Sequence, residues 1–358
     1  MPDDGKIRYF LGANSQDGFC SFQEEYLPPS RRKRVCILKG GPGTGKSAMM
    51  QKIGRRAEEA GIRCEYYACA SDPASLDGVV FPDLGSAVLD GTAPHVIEPA
   101  CAGAVEDYVS FSPLWDSRGI AGHREQIEEI SAAARGCYTR AFRYLSAAGQ
   151  LRAAVLDLAL GGTSTEKLAR RGRALARRYI PAERRPGGRV YKRFLTGLTP
   201  EGRVSFDGTV TAQCSRVVAL SDRLGLAPFV LAPVLSAAKG AGLCCIACFC
   251  PLNPKKLEHI LLPELSLAFV TSTRDHPFEG QNARSIRTDH IPDAAYLEAR
   301  KAQLRENERR CAALVDAAVE ELGEAKTLHD RLEACYVPYM DFAGVDRLTE
   351  TVAERVLH

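Results

Sequence analysis

The chain has 358 residues, of which 45% are hydrophobic and 25% charged, and its formal net charge is +3. This length allows two domains with ordinary cores, and so small a net charge argues against nucleic acid as a partner. No apolar run approaches the roughly 20 residues that cross a bilayer, and no apolar segment follows the polar first residues, so we expect a cytoplasmic protein without a membrane partner.

The first strongly patterned stretch predicts a strand, a loop and a helix. The apolar run Arg34–Lys39 predicts a buried strand. Residues 40–47 follow it directly and fit the phosphate-loop pattern G-x-x-x-x-G-K-[ST] without a gap. Residues 48–60 have helical composition and spacing, and Gly61 is a typical stop signal. This order of elements is the one that a phosphate-binding loop needs.

The residue types in this loop suit the binding of an anion. Glycines adopt backbone angles that other residues avoid, so successive amides can turn toward a phosphate, and the start of the helix adds unpaired N–H groups. The lysine is expected to contact the β and γ phosphates, and the serine hydroxyl to bind Mg²⁺. The sequence therefore predicts a site for ATP and Mg²⁺ that consists of Gly40, Gly41, Pro42, Gly43, Thr44, Gly45, Lys46 and Ser47.

Asp90 is the second predicted metal ligand. The apolar run 63–69 predicts the next strand, and the run 84–89 predicts a third that ends at Asp90. A carboxylate at the end of such a strand can hold Mg²⁺ through a water molecule, as in a Walker B site. The alternative is that Asp90 caps an Asp-Gly-Thr turn. We favour the metal role, shared with Ser47, because the strand order after the phosphate loop is right for it.

The residue that would activate water is not evident from the sequence. Gly91 stands where many ATPases have a glutamate. Three acid–base residues follow predicted strands on loops, where ligands bind in open α/β sheets, namely Asp72, Asp77 and His95. For each residue, a role in a turn or cap is the more common one, and we give that alternative the greater weight.

Comparison of the chain with itself reveals an internal repeat. Aromatic, glycine, proline and apolar residues recur in the same order over most of a domain, which indicates a tandem duplication. The matched ranges are 8–22 with 192–206, 34–38 with 216–220, and 60–95 with 241–276.

The second copy lacks the residues that the chemistry needs. Proline has no amide to donate, and phenylalanine cannot bind a cation. We therefore expect the second copy to keep the scaffold without a working nucleotide site. The matches are Gly45 with Ala227, Lys46 with Pro228, Ser47 with Phe229, and Asp90 with Thr271.

Each copy is predicted to end in helices. They fall at 123–145 and Thr165–Tyr179 in the first copy, and at 293–335 and 345–356 in the second. They can pack on the sheets or pair with each other, and we favour plain core packing. The predicted fold is α/β, a duplicated, mostly parallel sheet of the P-loop NTPase type flanked by helices. We place a nucleotide-binding domain at 1–180, a linker at 181–190 and a degenerate copy at 191–358.

Two further features have conservative interpretations. The segment 166–193 holds 11 Lys or Arg and two acidic residues, but an apolar stripe runs through it, so we interpret it as a solvated helix followed by the linker. Cys245 and Cys248 form a C-x-x-C pattern. On the strand that the repeat predicts there, they point to opposite faces, so a buried strand is favoured over a metal or redox site.

The phosphate loop, the segment 71–78 and the segment 90–95 resemble a family of functionally uncharacterised ATP-binding proteins from mainly Gram-positive bacteria. The resemblance extends to 328–332 and 340–342 near the end of the chain. It implies a duplicated P-loop domain that binds ATP and can hydrolyse it. Typical members keep an intact loop in the second copy, from which Ala227, Pro228 and Phe229 depart.

Three functions are compatible with the sequence. The leading hypothesis is an ATPase whose nucleotide state repositions the second domain or a protein partner. The second is a small-molecule kinase, in which Asp72 would orient or deprotonate a hydroxyl acceptor while Lys46 and Asp90 hold the nucleotide. The third is a nucleotide-gated interaction module that does not turn ATP over.

Overall fold

The computed structural model describes residues 5–94, 96–183, 185–274, 276–278 and 283–358. His95, one of the three candidate bases, lies outside the described residues. None of the helices in the described part of the chain combines the length and apolar character needed to cross a membrane.

The first half of the chain forms a mixed sheet with a small hairpin beside it. In the described residues, the sheet has six strands in the order β1-β5-β6-β7-β4-β8, and three of its five adjacent pairs are parallel. The strands of this half, with the hairpin β2–β3, are β1 (Ile7–Phe10), β2 (Gly12–Ser15), β3 (Gly18–Ser21), β4 (Arg34–Lys39), β5 (Glu65–Cys69), β6 (Asp72–Phe81), β7 (Ser86–Asp90) and β8 (Glu106–Ser110). Its helices are α1 (Lys46–Glu59), α2 (Ser117–Ala121), α3 (Arg124–Leu160) and α4 (Thr165–Tyr179).

The second half repeats this arrangement. Its sheet, from the matching edge, has the order β9-β13-β14-β15-β12-β16, which corresponds to the first sheet strand for strand, again with three parallel pairs among those described. The fold is therefore mixed α/β, consistent with a duplicated domain. Its strands are β9 (Val190–Arg193), β10 (Thr196–Thr199), β11 (Gly202–Ser205), β12 (Arg216–Ser221), β13 (Cys245–Phe249), β14 (Leu257–Leu262), β15 (Leu267–Ser272) and β16 (Arg284–Arg287). Its helices are α5 (Asp207–Gln213), α6 (Ala227–Gly240), α7 (Ala294–Glu298), α8 (Lys301–Ala334) and α9 (Phe342–Leu357).

The two sheets share one apolar core. Buried side chains from both halves belong to a single cluster, among them Tyr9, Tyr67, Phe194 and Val270. At its centre, Phe10 and Phe194 exchange backbone hydrogen bonds, each N–H donating to the other residue's carbonyl at 2.9 Å. Such reciprocal contacts between equivalent residues are what two copies related by an approximate two-fold axis produce.

The long helices α3 and α8 pair in antiparallel fashion. Arg140 of α3 donates to Glu321 of α8, and the Cys311 thiol of α8 donates to the carbonyl of Ala148 of α3. Residue numbers therefore rise along one helix as they fall along the other. Buried residues of α8 recur at intervals of seven, four and three, as in a coiled coil. They are Leu304, Cys311, Ala318, Leu322, Ala325 and Leu328. The pairing that we did not favour from the sequence thus occurs alongside core packing.

The helices that end each half pack against the other half. The predicted stripe of α4, with Leu168 and Leu175 buried, lies on α6, where a Cβ on Gly172 would stand 2.2 Å from the carbonyl oxygen of Val230. Conversely, α9 packs on α1, β4 and β7, with Val352 in the core of the first sheet. The apolar stripe of α4 therefore has a structural use, and its basic residues lie on the opposite, exposed face.

This exchange predicts that the first half cannot fold alone. A chain ending at residue 180 would expose the face of α1 and β4 that α9 covers, as well as half of the shared core, so we expect it to be insoluble or unfolded. Co-expression with residues 181–358 should restore a folded complex, as measured by gel filtration and circular dichroism. A folded, monomeric 1–180 fragment would contradict the exchange.

Several sequence predictions are confirmed and others need correction. The strand Arg34–Lys39 and the helix Thr165–Tyr179 have the predicted bounds, and Gly61 follows the end of α1 with a φ of +72°. Cys245 and Cys248 lie on opposite faces of β13, in different apolar clusters. The helix predicted at 123–145 extends to Leu160.

Strand β6 was not predicted. It begins at Asp72 and runs antiparallel between β5 and β7, so Asp72 and Asp77 lie on a strand and not on a loop. The Asp-Pro-Ala-Ser beginning of the segment resembles a turn, and two neighbouring strands hold it extended.

Candidate functional site

The loop between β4 and α1 has a tightly turned backbone. Gly43 and Gly45 have φ values of +68° and +92°, the left-handed region that favours glycine. The buried Thr44 hydroxyl donates to the carbonyl of Gly41 at 2.8 Å, which closes the loop on itself. Helix α1 begins at Lys46, directly after this turn, so its unpaired N–H groups start at the loop.

Lys46 and Asp90 meet beside the loop. The Lys46 Nζ donates to the carbonyl oxygens of Gly40 at 3.0 Å and Gly41 at 2.8 Å, and it lies 3.6 Å from Asp90 Oδ2. The two side chains are 11% and 15% exposed, so water screens this pair only in part. The parallel register that sets Leu38 beside Asp90 brings them together. The structure thus joins two of the predicted site residues.

Asp90 also has the turn contact that the alternative interpretation expected. Its Oδ1 accepts a hydrogen bond from the Thr92 amide at 2.8 Å, and the Thr92 hydroxyl donates to the Gly40 carbonyl at 3.1 Å. One carboxylate oxygen therefore fixes the turn while the other faces Lys46. The two roles proposed for Asp90 are compatible.

The position after Asp90 has no room for a glutamate. A Cβ on Gly91 would lie 2.3 Å from Ile37 Cγ2, a separation that real Cβ atoms do not show. The Lys39 side chain lies beside the same position, and its Nζ donates to the Gly91 carbonyl at 2.7 Å. The packing of Ile37 and Lys39 at this strand end therefore excludes a glutamate from the position after Asp90.

Ser47 connects α1 to the unpredicted strand β6. Its Oγ accepts a hydrogen bond from the Leu76 amide at 3.0 Å and one from Gln51 Nε2 at 3.4 Å. These two bonds engage both lone pairs of the hydroxyl, so a cation would bind Ser47 in place of the longer bond from Gln51.

The two candidate bases on β6 are occupied in different ways. The Asp72 carboxylate accepts from the Ala74 amide at 3.2 Å and the Ser75 hydroxyl at 3.0 Å, and Lys326 Nζ lies 3.5 Å from it. Asp77 is 5% exposed and adjoins Cys69, whose pKa is raised by burial and then by the charge of Asp77. Asp72 therefore has the turn contacts that we weighted above catalysis, together with an ion pair to the second half.

A segment from the second half lies directly on the loop. We call residues 333–345, which join α8 to α9, the cover segment. A Cβ on Gly41 would stand 3.0 Å from the Tyr336 ring, and one on Gly43 would stand 3.0 Å from Val337 Cγ2 and 3.1 Å from Glu333 Cβ. Side chains from the other end of the chain therefore lie close to both of these loop glycines.

Polar contacts also hold the cover segment against the first half. His329 lies 3.4 Å from Glu333, and this hydrogen bond, with a smaller contribution from the Gly43 amide, lowers the pKa of Glu333. Two backbone bonds of 2.8 Å, from Asp116 to Tyr339 and from Asp341 to Leu114, fasten the segment to the first half. No sequence pattern predicts these contacts, because the residues concerned lie near the opposite end of the chain.

The equivalent loop of the second half is filled by one of its own carboxylates. Asp222 follows β12 and is 1% exposed. Its Oδ1 accepts from the Leu226 amide and its Oδ2 from the Ala227 amide, both at 2.8 Å, and the Thr288 hydroxyl lies 3.1 Å away. These amides begin α6, and in the first half the corresponding amides begin α1. The anion position at this helix start is therefore already occupied by the chain itself.

The structure corrects the register of the predicted match. Five residues separate β12 from α6, whereas six separate β4 from α1, so Lys46 corresponds to Ala227 and not to Pro228. Likewise Ser47 corresponds to Pro228. The match of Asp90 with Thr271 is confirmed, because both stand at the same step of the parallel register.

Comparison of the chain with protein-family models, with curated proteins and with solved structures gives no match.

Proposed function

We propose that the chain binds one MgATP in the loop 40–47 and that it belongs to the P-loop class of nucleotide-binding proteins. The support is the left-handed glycines before a helix start, with Lys46 held beside them. Among the described residues, no group of three His, Cys, Asp or Glu side chains could hold a metal alone. Mg²⁺ would be held by Ser47 and Asp90 together with phosphate oxygens, and it would neutralise charge on the phosphates.

We propose further that the chain is an ATPase whose nucleotide state is transmitted to its second half. The observation that carries this proposal is the cover segment, in which Tyr336, Val337 and Glu333 fill the space that a Cβ on Gly41 or Gly43 would need. A loop that closes around phosphates must move these neighbours or be held by them, because packed contacts of this kind deform little. From the cover segment, helix α8 runs back along α3, contacts the hairpin strand β10 and places Leu304 in the core of the second half, which gives the movement a rigid path.

The single tryptophan supplies a test of this coupling. Trp115 is bridged to Met340 of the cover segment, so its fluorescence reports on that contact. Addition of MgATP to the wild-type protein should change the emission in a saturable way, and the Lys46→Ala variant should show no change. A wild-type signal that stays flat while bound ATP is measured independently would refute the coupling.

The crowding at Gly91 favours a second candidate, a nucleotide-gated module without turnover. No glutamate fits there, and Asp72 is engaged by Lys326. Quantifying ADP after long incubation with a large molar excess of MgATP separates the two candidates. Repeated turnover supports the ATPase, and intact ATP with an unimpaired Trp115 response supports the module.

A further inference from the structure

A cavity of about 230 Å³ lies one helical turn from the phosphate loop. Residues of β1, α1, β5 and the first half of β6 line it. Its floor is apolar, formed by Tyr66, Ala68 and Leu76. This volume exceeds the roughly 30 Å³ share of a water molecule several times, so it can hold a small organic molecule.

The rim of the cavity is basic. Lys6, Arg8 and Arg55 line it, and no acidic side chain is among the described residues that do so. Glu58, on the same face of α1, pairs with Lys6 at 2.9 Å and accepts from the Tyr66 hydroxyl at 2.8 Å. The three cationic residues come from two separate parts of the chain, Lys6 and Arg8 at β1 and Arg55 on α1, and all three line the cavity.

Gln51 forms the wall that the cavity shares with the phosphate loop. Its side-chain amide donates to Ser47 Oγ at 3.4 Å and to the Ala74 carbonyl at 3.2 Å. Ser47 in turn accepts from the amide of Leu76, another cavity residue. A ligand in the cavity would therefore contact the same hydrogen-bond chain that positions the proposed magnesium ligand.

We propose that this cavity binds a small phosphorylated molecule, with its phosphate on Arg55, Arg8 and Lys6 and its body on the apolar floor. Arginine is well suited to phosphate because its planar fork donates paired hydrogen bonds. That this molecule is a second ligand beside ATP rests on the proposed function. The binding of an anion by the cavity does not depend on ATP binding.

The test uses the full-length Lys46→Ala variant, in which the phosphate loop is disabled, and glycerol 3-phosphate as the probe. Calorimetric titration should show binding in this background, and adding Arg55→Ala should weaken it about tenfold, the effect of one lost charge-assisted hydrogen bond. Arg55 is exposed, so the variant should fold. Arg55→Lys should restore part of the affinity.

Arg56→Ala is the matched control, because Arg56 is the adjacent exposed arginine and pairs with Glu350 of α9 at 2.7 Å, away from the cavity. It should leave binding unchanged. No binding in the Lys46→Ala background, or equal weakening by both arginine variants, overturns the proposal. ATP binding that survives Lys46→Ala would instead refute the nucleotide assignment and leave the Arg55 result standing.

Discussion

Replacing Lys46 with alanine is expected to weaken ATP binding about a hundredfold or more, because the variant loses the charge-assisted hydrogen bonds from the ammonium to the phosphates. In the structure the Lys46 ammonium lies against the Gly40 and Gly41 carbonyls and beside Asp90, with little exposure to water. A cation held at this depth interacts strongly with an incoming phosphate. Calorimetric titration with MgATP at fixed ionic strength measures the change.

Lys52→Ala is the control for this variant. Lys52 lies on the same helix, is exposed, and pairs with Asp346 of α9, so its removal takes away the same charge without touching the loop. Its affinity for ATP should stay close to that of the wild type. Undiminished binding in Lys46→Ala would refute the site. The wild-type stoichiometry should be one ATP per chain, and two would show that the second half also binds.

The sequence predicted the part of the site that is contiguous in the chain. The strand, the loop and the start of α1 depend on local backbone preferences and on one apolar run, and their bounds agree with the structure to within two residues. Asp90 could be placed because it ends the third apolar run, whose order relative to the loop is constrained. Local signals of this kind need no knowledge of distant contacts.

The parts that the sequence could not supply depend on long-range pairing. Strand β6 is extended because β5 and β7 flank it, although its first residues favour a turn. The contacts of Tyr336 and Glu333 with the loop glycines depend on which sheet α9 covers. An amphipathic helix shows that one face is buried but not against which partner. The same limitation concealed the exchange of α4 and α9 between the two halves.

Asp222 shows how a degenerate copy can keep its fold. The internal repeat showed that the second copy lacks the glycine, lysine and serine of the loop, but not that an acidic residue of this copy binds the start of the helix. A helix start leaves amides that need an acceptor, and where a phosphate is absent they must find another. Asp222 supplies that acceptor from within the chain, so the second half is stable without a ligand at this point.

Substitution of Asp222 by alanine is accordingly expected to lower the free energy of unfolding by about 3 kcal/mol, since it leaves the Leu226 and Ala227 amides buried without their acceptor. Asp222→Asn keeps one acceptor oxygen and should lie between this variant and the wild type. Urea denaturation followed by circular dichroism gives the values. Asp293→Ala, which removes an ordinary exposed cap from α7, should cost about 1 kcal/mol. Equal losses in Asp222→Ala and Asp293→Ala would show that Asp222 is a simple cap and not the internal substitute for a phosphate.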